Sequence, residues 1–85
     1  MTESTDLLTL FSRPGCHLCE EALEMIEQLN LKITLTESDI TEDPGLEQRY
    51  GVAIPVLRHD RSERELAWPF GPEDVKNLLV IAAQG

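Results

Sequence analysis

Leu7, Leu8, Leu10 and Phe11 form a short, almost continuous apolar run, which fits a strand covered on both faces better than an exposed helix. After the Arg13-Pro14-Gly15 break the period changes. Leu18, Ala22, Met25, Ile26 and Leu29 recur at spacings of three and four, with Glu20, Glu21, Glu24 and Glu27 on the other side. This pattern predicts an amphipathic helix starting at or near Cys16, and glutamates in its first turns suit the positive end of the helix dipole. Ile33 and Leu35 alternate with Thr34 and Thr36 as a second strand. A helix-length connection between two strands makes a right-handed parallel βαβ unit the expected arrangement.

Farther along, Asp43-Pro44 has the character of an N-cap and first helical position, and Gly51 after Tyr50 that of a helix stop, so a short second helix is predicted between them. Val56 and Leu57 follow Pro55 as a third strand. Asp60-Arg61-Ser62 then turns the chain into a fourth strand containing Leu66 and Trp68, and the two strands should pair as an antiparallel hairpin. Beyond Gly71-Pro72, Val75, Leu78, Leu79 and Ala82 mark a final helix. The expected fold is α/β with the order βαβαββα. No linker, low-complexity segment or internal repeat interrupts it, so one domain spanning residues 1–85 is expected.

The 85 residues allow one modest core, and 41% hydrophobic with 27% charged residues belongs to a globular chain rather than a disordered one. Sixteen acidic against seven basic residues give a formal charge of −9, a field that repels phosphate backbones and anionic lipid, so nucleic acid is excluded as an expected partner. No apolar run approaches the roughly 18 residues that cross a bilayer, so no membrane association is expected. The start of the chain lacks the basic and apolar regions of a signal peptide, and a cytoplasmic location is expected. In that reducing compartment two close cysteines are catalytic, redox-sensing or metal-binding more readily than a permanent staple.

Cys16-His17-Leu18-Cys19 opens a helix directly after a strand, which puts the first sulfur near unpaired backbone N–H groups. A free cysteine thiol has a pKa of about 8.5, and a helix N-terminus favours the thiolate that attacks disulfides. Cys16 is therefore the expected nucleophile. Cys19, almost one helical turn on, is the expected resolving thiol that attacks a mixed disulfide on Cys16. Two buried small residues or an inert local bridge are the plain alternative. Zinc would need about four ligands, for which only His17 and His59 are further soft candidates, and no metal site is expected. A glutathione-assisted iron–sulfur cluster between two monomers is a further alternative.

Arg13, three residues before Cys16, is a candidate to favour the thiolate or hold a substrate carboxylate, with a solvated loop charge as its alternative. His17, when protonated, would add positive charge beside the sulfur, or else is simply an exposed side chain. Pro55, between Ile54 and Val56, suggests a special turn or a cis bond at a strand entry, and local physics leaves the isomer open.

Two segments, Leu10-Phe11-Ser12-Arg13-Pro14-Gly15-Cys16-His17-Leu18-Cys19 and Tyr50-Gly51-Val52-Ala53-Ile54-Pro55-Val56-Leu57, resemble the glutaredoxin-like branch of the thioredoxin superfamily, and the resemblance covers nearly the whole chain. It implies a four-stranded mixed sheet flanked by three helices, with the cysteine pair at the start of the first helix. It also implies that Pro55 is a cis-proline facing the pair. The backbone of Ile54 would then dock an extended peptide or glutathione by β-augmentation. By the same resemblance the activity is thiol–disulfide exchange without a metal or organic prosthetic group. Glutathione is a candidate co-substrate, a disulfide-containing protein the partner, and glutathione or thioredoxin reductase the electron donor. A monomer is expected.

The chain also departs from that pattern. His17-Leu18 stands where dithiol glutaredoxins usually have Pro-Tyr and thioredoxins Gly-Pro, so no redox potential carries over. Ala67-Trp68-Pro69-Phe70-Gly71-Pro72 replaces the Gly-Gly and acidic segment that holds a glutathione carboxylate, and partly resembles the loop of redoxins that draw electrons from thioredoxin reductase. Trp68 is accordingly a candidate substrate-binding residue or a core residue. The rival functional class is a redox-regulated or non-catalytic binding module that keeps the fold without general turnover.

Overall fold

The computed structural model describes residues 5–84; residues 1–4, part of the segment read above for a signal peptide, lie outside the described residues. The elements are β1 (Asp6–Ser12), α1 (His17–Gln28), β2 (Ile33–Asp39), a 3-10 turn (Ile40–Glu42), α2 (Pro44–Tyr50), β3 (Val56–His59), β4 (Arg64–Ala67) and α3 (Pro72–Gln84). The four strands form one sheet in the order β2-β1-β3-β4, with β1 parallel to β2 and antiparallel to β3, and β3 antiparallel to β4. The mixed sheet and its three helices match the expected architecture. Among the described residues no helix is long and apolar enough to cross a membrane.

Local chemistry fixes the helix starts. Asp43 caps α2 by accepting the Gly45 N–H at 2.8 Å, with Pro44 at the first helical position, where its missing N–H costs nothing. At α3, Pro72 takes the same position and the Asp74 carboxylate reaches back to the Gly71 N–H at 2.7 Å.

The sheet carries apolar clusters on its two faces. Leu8 and Leu10 of β1, Leu57 of β3, Ala22 and Ile26 of α1, and Phe70, Val75 and Leu78 pack the larger one between the sheet, α1 and α3. Leu8, Leu10, Ile26, Leu57 and Val75 are at most 1% exposed, and burial of each such side chain contributes about 1.5–3 kcal/mol. On the opposite face Phe11, Ile40, Tyr50 and Val56 form a smaller cluster under α2, with Phe11 and Tyr50 stacked at 4.3 Å.

Three local expectations change. β1 is covered on both faces only toward its end: Leu7 is exposed, because α2 spans seven residues and shields only the Phe11 end of that face. Leu18 also points outward, since the buried stripe of α1 runs through Cys19, Ala22 and Ile26, about 70° round the helix from it. Finally, β4 ends at Ala67, so Trp68 lies just beyond the strand, its N–H still bonded to the Pro55 carbonyl at 3.0 Å.

Candidate active site

β1 delivers the chain to one end of the sheet at Ser12, and a tight turn through Arg13, Pro14 and Gly15 feeds α1, with the Cys16 N–H donating to the Arg13 carbonyl at 3.2 Å. Gly15 holds φ +77°, and a Cβ there would meet nothing within 4 Å, so the left-handed backbone rather than space requires glycine. Cys16 is the N-cap of α1. Its Sγ accepts the Cys19 N–H at 3.1 Å, taking the place a serine or aspartate oxygen occupies in an ordinary cap.

The two cysteines differ in environment. Cys16 is half-buried while Cys19 is 2% exposed beneath it, with Cα atoms 5.2 Å apart and sulfurs at disulfide-bonding distance. An accessible sulfur over a buried one suits a sequence in which the outer atom meets a partner and the inner one attacks afterwards.

A cleft of about 310 Å³ opens beside the pair on the β2 side. The Arg13–Gly15 turn, Cys16, Cys19, Glu20, Glu37 and Asp39 contribute to its lining. The parallel register creates it: Leu10 lies beside Glu37 and Ser12 beside Asp39, so two carboxylates of β2 reach the end of β1 where the cysteines follow. Two influences on a Cys16 thiolate therefore oppose each other. The helix terminus and the Cys19 N–H favour the anion, and the neighbouring carboxylates disfavour it.

Pro55 is buried at the start of β3, and the Phe11–Val56 pairing sets it beside Ser12 at the same end of the sheet. The Ile54–Pro55 and Trp68–Pro69 peptides are both cis. The Ile54 N–H donates to the Tyr50 carbonyl at 3.2 Å, so a strand docking there meets the carbonyl of that residue rather than a free N–H.

Arg13 also lines the cleft, with its guanidinium bonded within the chain. Its Nη2 donates to Glu47 Oε1 at 2.9 Å and to the Gly51 carbonyl at 3.2 Å, joining the turn before Cys16 to the end of α2. His17 is well exposed, its Nε2 3.0 Å from Glu21 Oε2 along the outer side of α1. Trp68 packs against the larger core cluster, edge-on to Phe70 at 5.2 Å. His59 lies at the far end of the sheet, opposite Leu8, and is buried between Asp6 and Ser62 at 2.9 Å each. Val52, in the loop leading to Pro55, is fully exposed. Sequence reasoning missed Glu37 and Asp39, because only strand register brings them to the cysteines; Glu20 was visible, but as a helix-dipole partner.

A mixed sheet of this order, helices on both faces and a Cys-X-X-Cys pair where β1 meets α1 define a thioredoxin-like fold. The profile of the Glutaredoxin-like domain family (DUF836) matches residues 7–80, and the chain belongs to that family. The X-ray structure of protein XcR50 from X. campestris is similar, with a TM-score of 0.78 and 39% identity, over 87% of this chain and 96% of that one. The solution structure of protein Ne2328 from Nitrosomonas europaea has a TM-score of 0.77 and 27% identity, covering 93% of this chain and 95% of that one.

Proposed function

We propose that this protein is a thiol–disulfide oxidoreductase acting on protein disulfides. The carrying observation is the half-buried Cys16 sulfur at the N-cap of α1, bonded by the Cys19 N–H, with Cys19 buried beneath it. In the reduced form the Cys16 thiolate attacks one sulfur of a partner disulfide. A Cys16–partner bond forms and the other partner sulfur leaves as a thiolate. Cys19 then gives up its proton and attacks Cys16, which forms the Cys16–Cys19 disulfide and releases the second partner thiol. Two electrons have passed to the partner, and an external dithiol or two molecules of glutathione return them.

Membership of the glutaredoxin-like family supports this reading. The reading includes a monomeric enzyme without a metal or prosthetic group, working in the reducing cytoplasm, with thioredoxin reductase or glutathione as donor. Arg13 acts in it as a strut that holds the Cys16 turn against the loop before Pro55, rather than as a ligand for a substrate carboxylate.

The test replaces Cys19 by Ser in the full chain and traps mixed disulfides on Cys16, while wild-type turnover of a protein disulfide is followed with each donor separately. The expected result is partner captured through Cys16 and turnover with at least one donor. No capture, with a Cys16 thiol that alkylates no faster than a free cysteine and no turnover with either donor, would overturn the proposal in favour of a binding module.

A further inference from the structure

The two basic side chains that sequence places nearest Cys16 both have carboxylate partners within the chain. Arg13 is paired with Glu47 and the Gly51 carbonyl, and His17 with Glu21. The cleft that exposes the disulfide is lined by Arg13, so paired, and by Glu20, Glu37 and Asp39 from α1 and β2, and among the described residues none of these three carboxylates is in an ion pair. Asp39 Oδ1 accepts from the Thr41 N–H and hydroxyl, which fixes that side chain, and Ser12 Oγ donates to Glu37 Oε2 at 3.5 Å. A group seated in this cleft therefore approaches the Cys16 sulfur through negative potential. Among the described residues the one cation on the cleft wall, Arg13, is already bonded to Glu47 and to the Gly51 carbonyl.

Resting on the exchange activity proposed above, we infer that Glu20, Glu37 and Asp39 select the partner by charge: the preferred disulfide is one whose cysteine is flanked by lysine or arginine, and anionic disulfides such as oxidised glutathione are poor oxidants of the pair. Concave surfaces of one sign raise the local concentration of oppositely charged ligands and deplete like-charged ones, an effect that salt weakens. The residues act on encounter and orientation. The electron transfer is the balanced exchange described above, in which the reduced pair becomes a disulfide and the incoming disulfide becomes two thiols.

The experiment mixes the fully reduced wild-type protein with doubly positive cystamine, neutral hydroxyethyl disulfide or anionic oxidised glutathione. Formation of the Cys16–Cys19 disulfide is followed by acid quench and alkylation. Each rate is divided by that of dithiothreitol with the same disulfide, which removes the disulfide's own reactivity, and ratios between disulfides remove the reactivity of the shared Cys16 thiolate. At low salt the normalised rate with cystamine should exceed that with oxidised glutathione by about tenfold or more, and the ratio should shrink near 1 M salt, where the Debye length is about 3 Å. The E20Q/E37Q/D39N variant keeps similar shapes and an amide oxygen to cap the 3-10 turn, and should cut the low-salt ratio severalfold, leaving the weaker preference of an acidic chain. Equal normalised rates for cystamine and oxidised glutathione, or a low-salt preference that the triple variant retains in full, would overturn the charge inference while exchange with the neutral disulfide stands. Failure of the neutral disulfide to oxidise the pair would instead remove the exchange activity and this inference with it.

Discussion

Reduction of the Cys16–Cys19 pair is the perturbation whose size the structure sets most directly. The bridge links residues three apart in sequence, closing a loop of only residues 16–19. For so short a loop the chain-entropy relation gives about 1.9 kcal/mol of stabilisation at 25 °C, near the bottom of the usual disulfide range. The reduced form recovers part of this. A Cys16 thiolate keeps the Cys19 N–H at its sulfur and gains from the end of α1, an effect of about 0.3–1 kcal/mol at a partly exposed site. The oxidised protein should therefore be more stable than the reduced one by only about 1–2 kcal/mol at neutral pH. Urea unfolding of the two forms gives the difference directly, provided both are two-state. Equilibration of the folded protein and of an unfolded peptide spanning the pair against a thiol buffer gives it again. By the thermodynamic cycle the folded pair should be more reducing by about 20–40 mV. A difference of about 4 kcal/mol or more would refute the reasoning and make the bridge a structural staple, as would a disagreement between the two routes around the cycle.

Two further outcomes test the surroundings of the pair. Tyr50 is the one tyrosine of the chain, so its alkaline titration can be read by ultraviolet absorbance. Burial, then the hydrogen bond to Glu65 and its charge, raise its pKa above the ordinary value near 10, against a smaller opposing pull from Arg49 and Arg58. The native state thus holds this proton more tightly than the unfolded chain. Its contribution to stability is complete below about pH 10 and is lost as pH rises through the folded pKa; a midpoint at or below 10 would contradict the assignment. At Gly51, an added Cβ would lie 2.5 Å from the Glu47 carbonyl oxygen, closer than real contacts allow, so the backbone that accepts the Arg13 guanidinium must shift. Gly51→Ala should cost about 1–3 kcal/mol in urea unfolding, and wild-type stability in this variant would show that the end of α2 yields freely.

The course of the chain was legible because its signals are local. The switch from the Leu7–Phe11 run to a three-and-four spacing marked the passage from β1 to α1, and Asp43-Pro44 and Gly71-Pro72 marked the starts of α2 and α3. The cysteine pair was legible for the same reason, since a strand followed at once by a helix leaves its linking residue beside unpaired N–H groups. The His17–Glu21 pairing was also available, as residues four apart on one helix face, and was passed over. Trp68 was less clear, because an aromatic beside a proline reads equally as rim or core until its neighbours are known.

By itself, then, the sequence determined the order of elements, the starts of the helices and the position of the two sulfurs, all of which depend on residues within a helical turn or a strand of one another. Tertiary structure alone decided which side chains surround those sulfurs. Arg13 meets Glu47 across 34 positions, and Glu37 and Asp39 reach the cysteines only through the register of β2 on β1. Register and helix docking are settled by the burial of whole faces, such as Leu8, Leu10 and Leu57 against Ile26 and Val75. The charges around the site follow from that packing, and no local pattern in the chain specifies them.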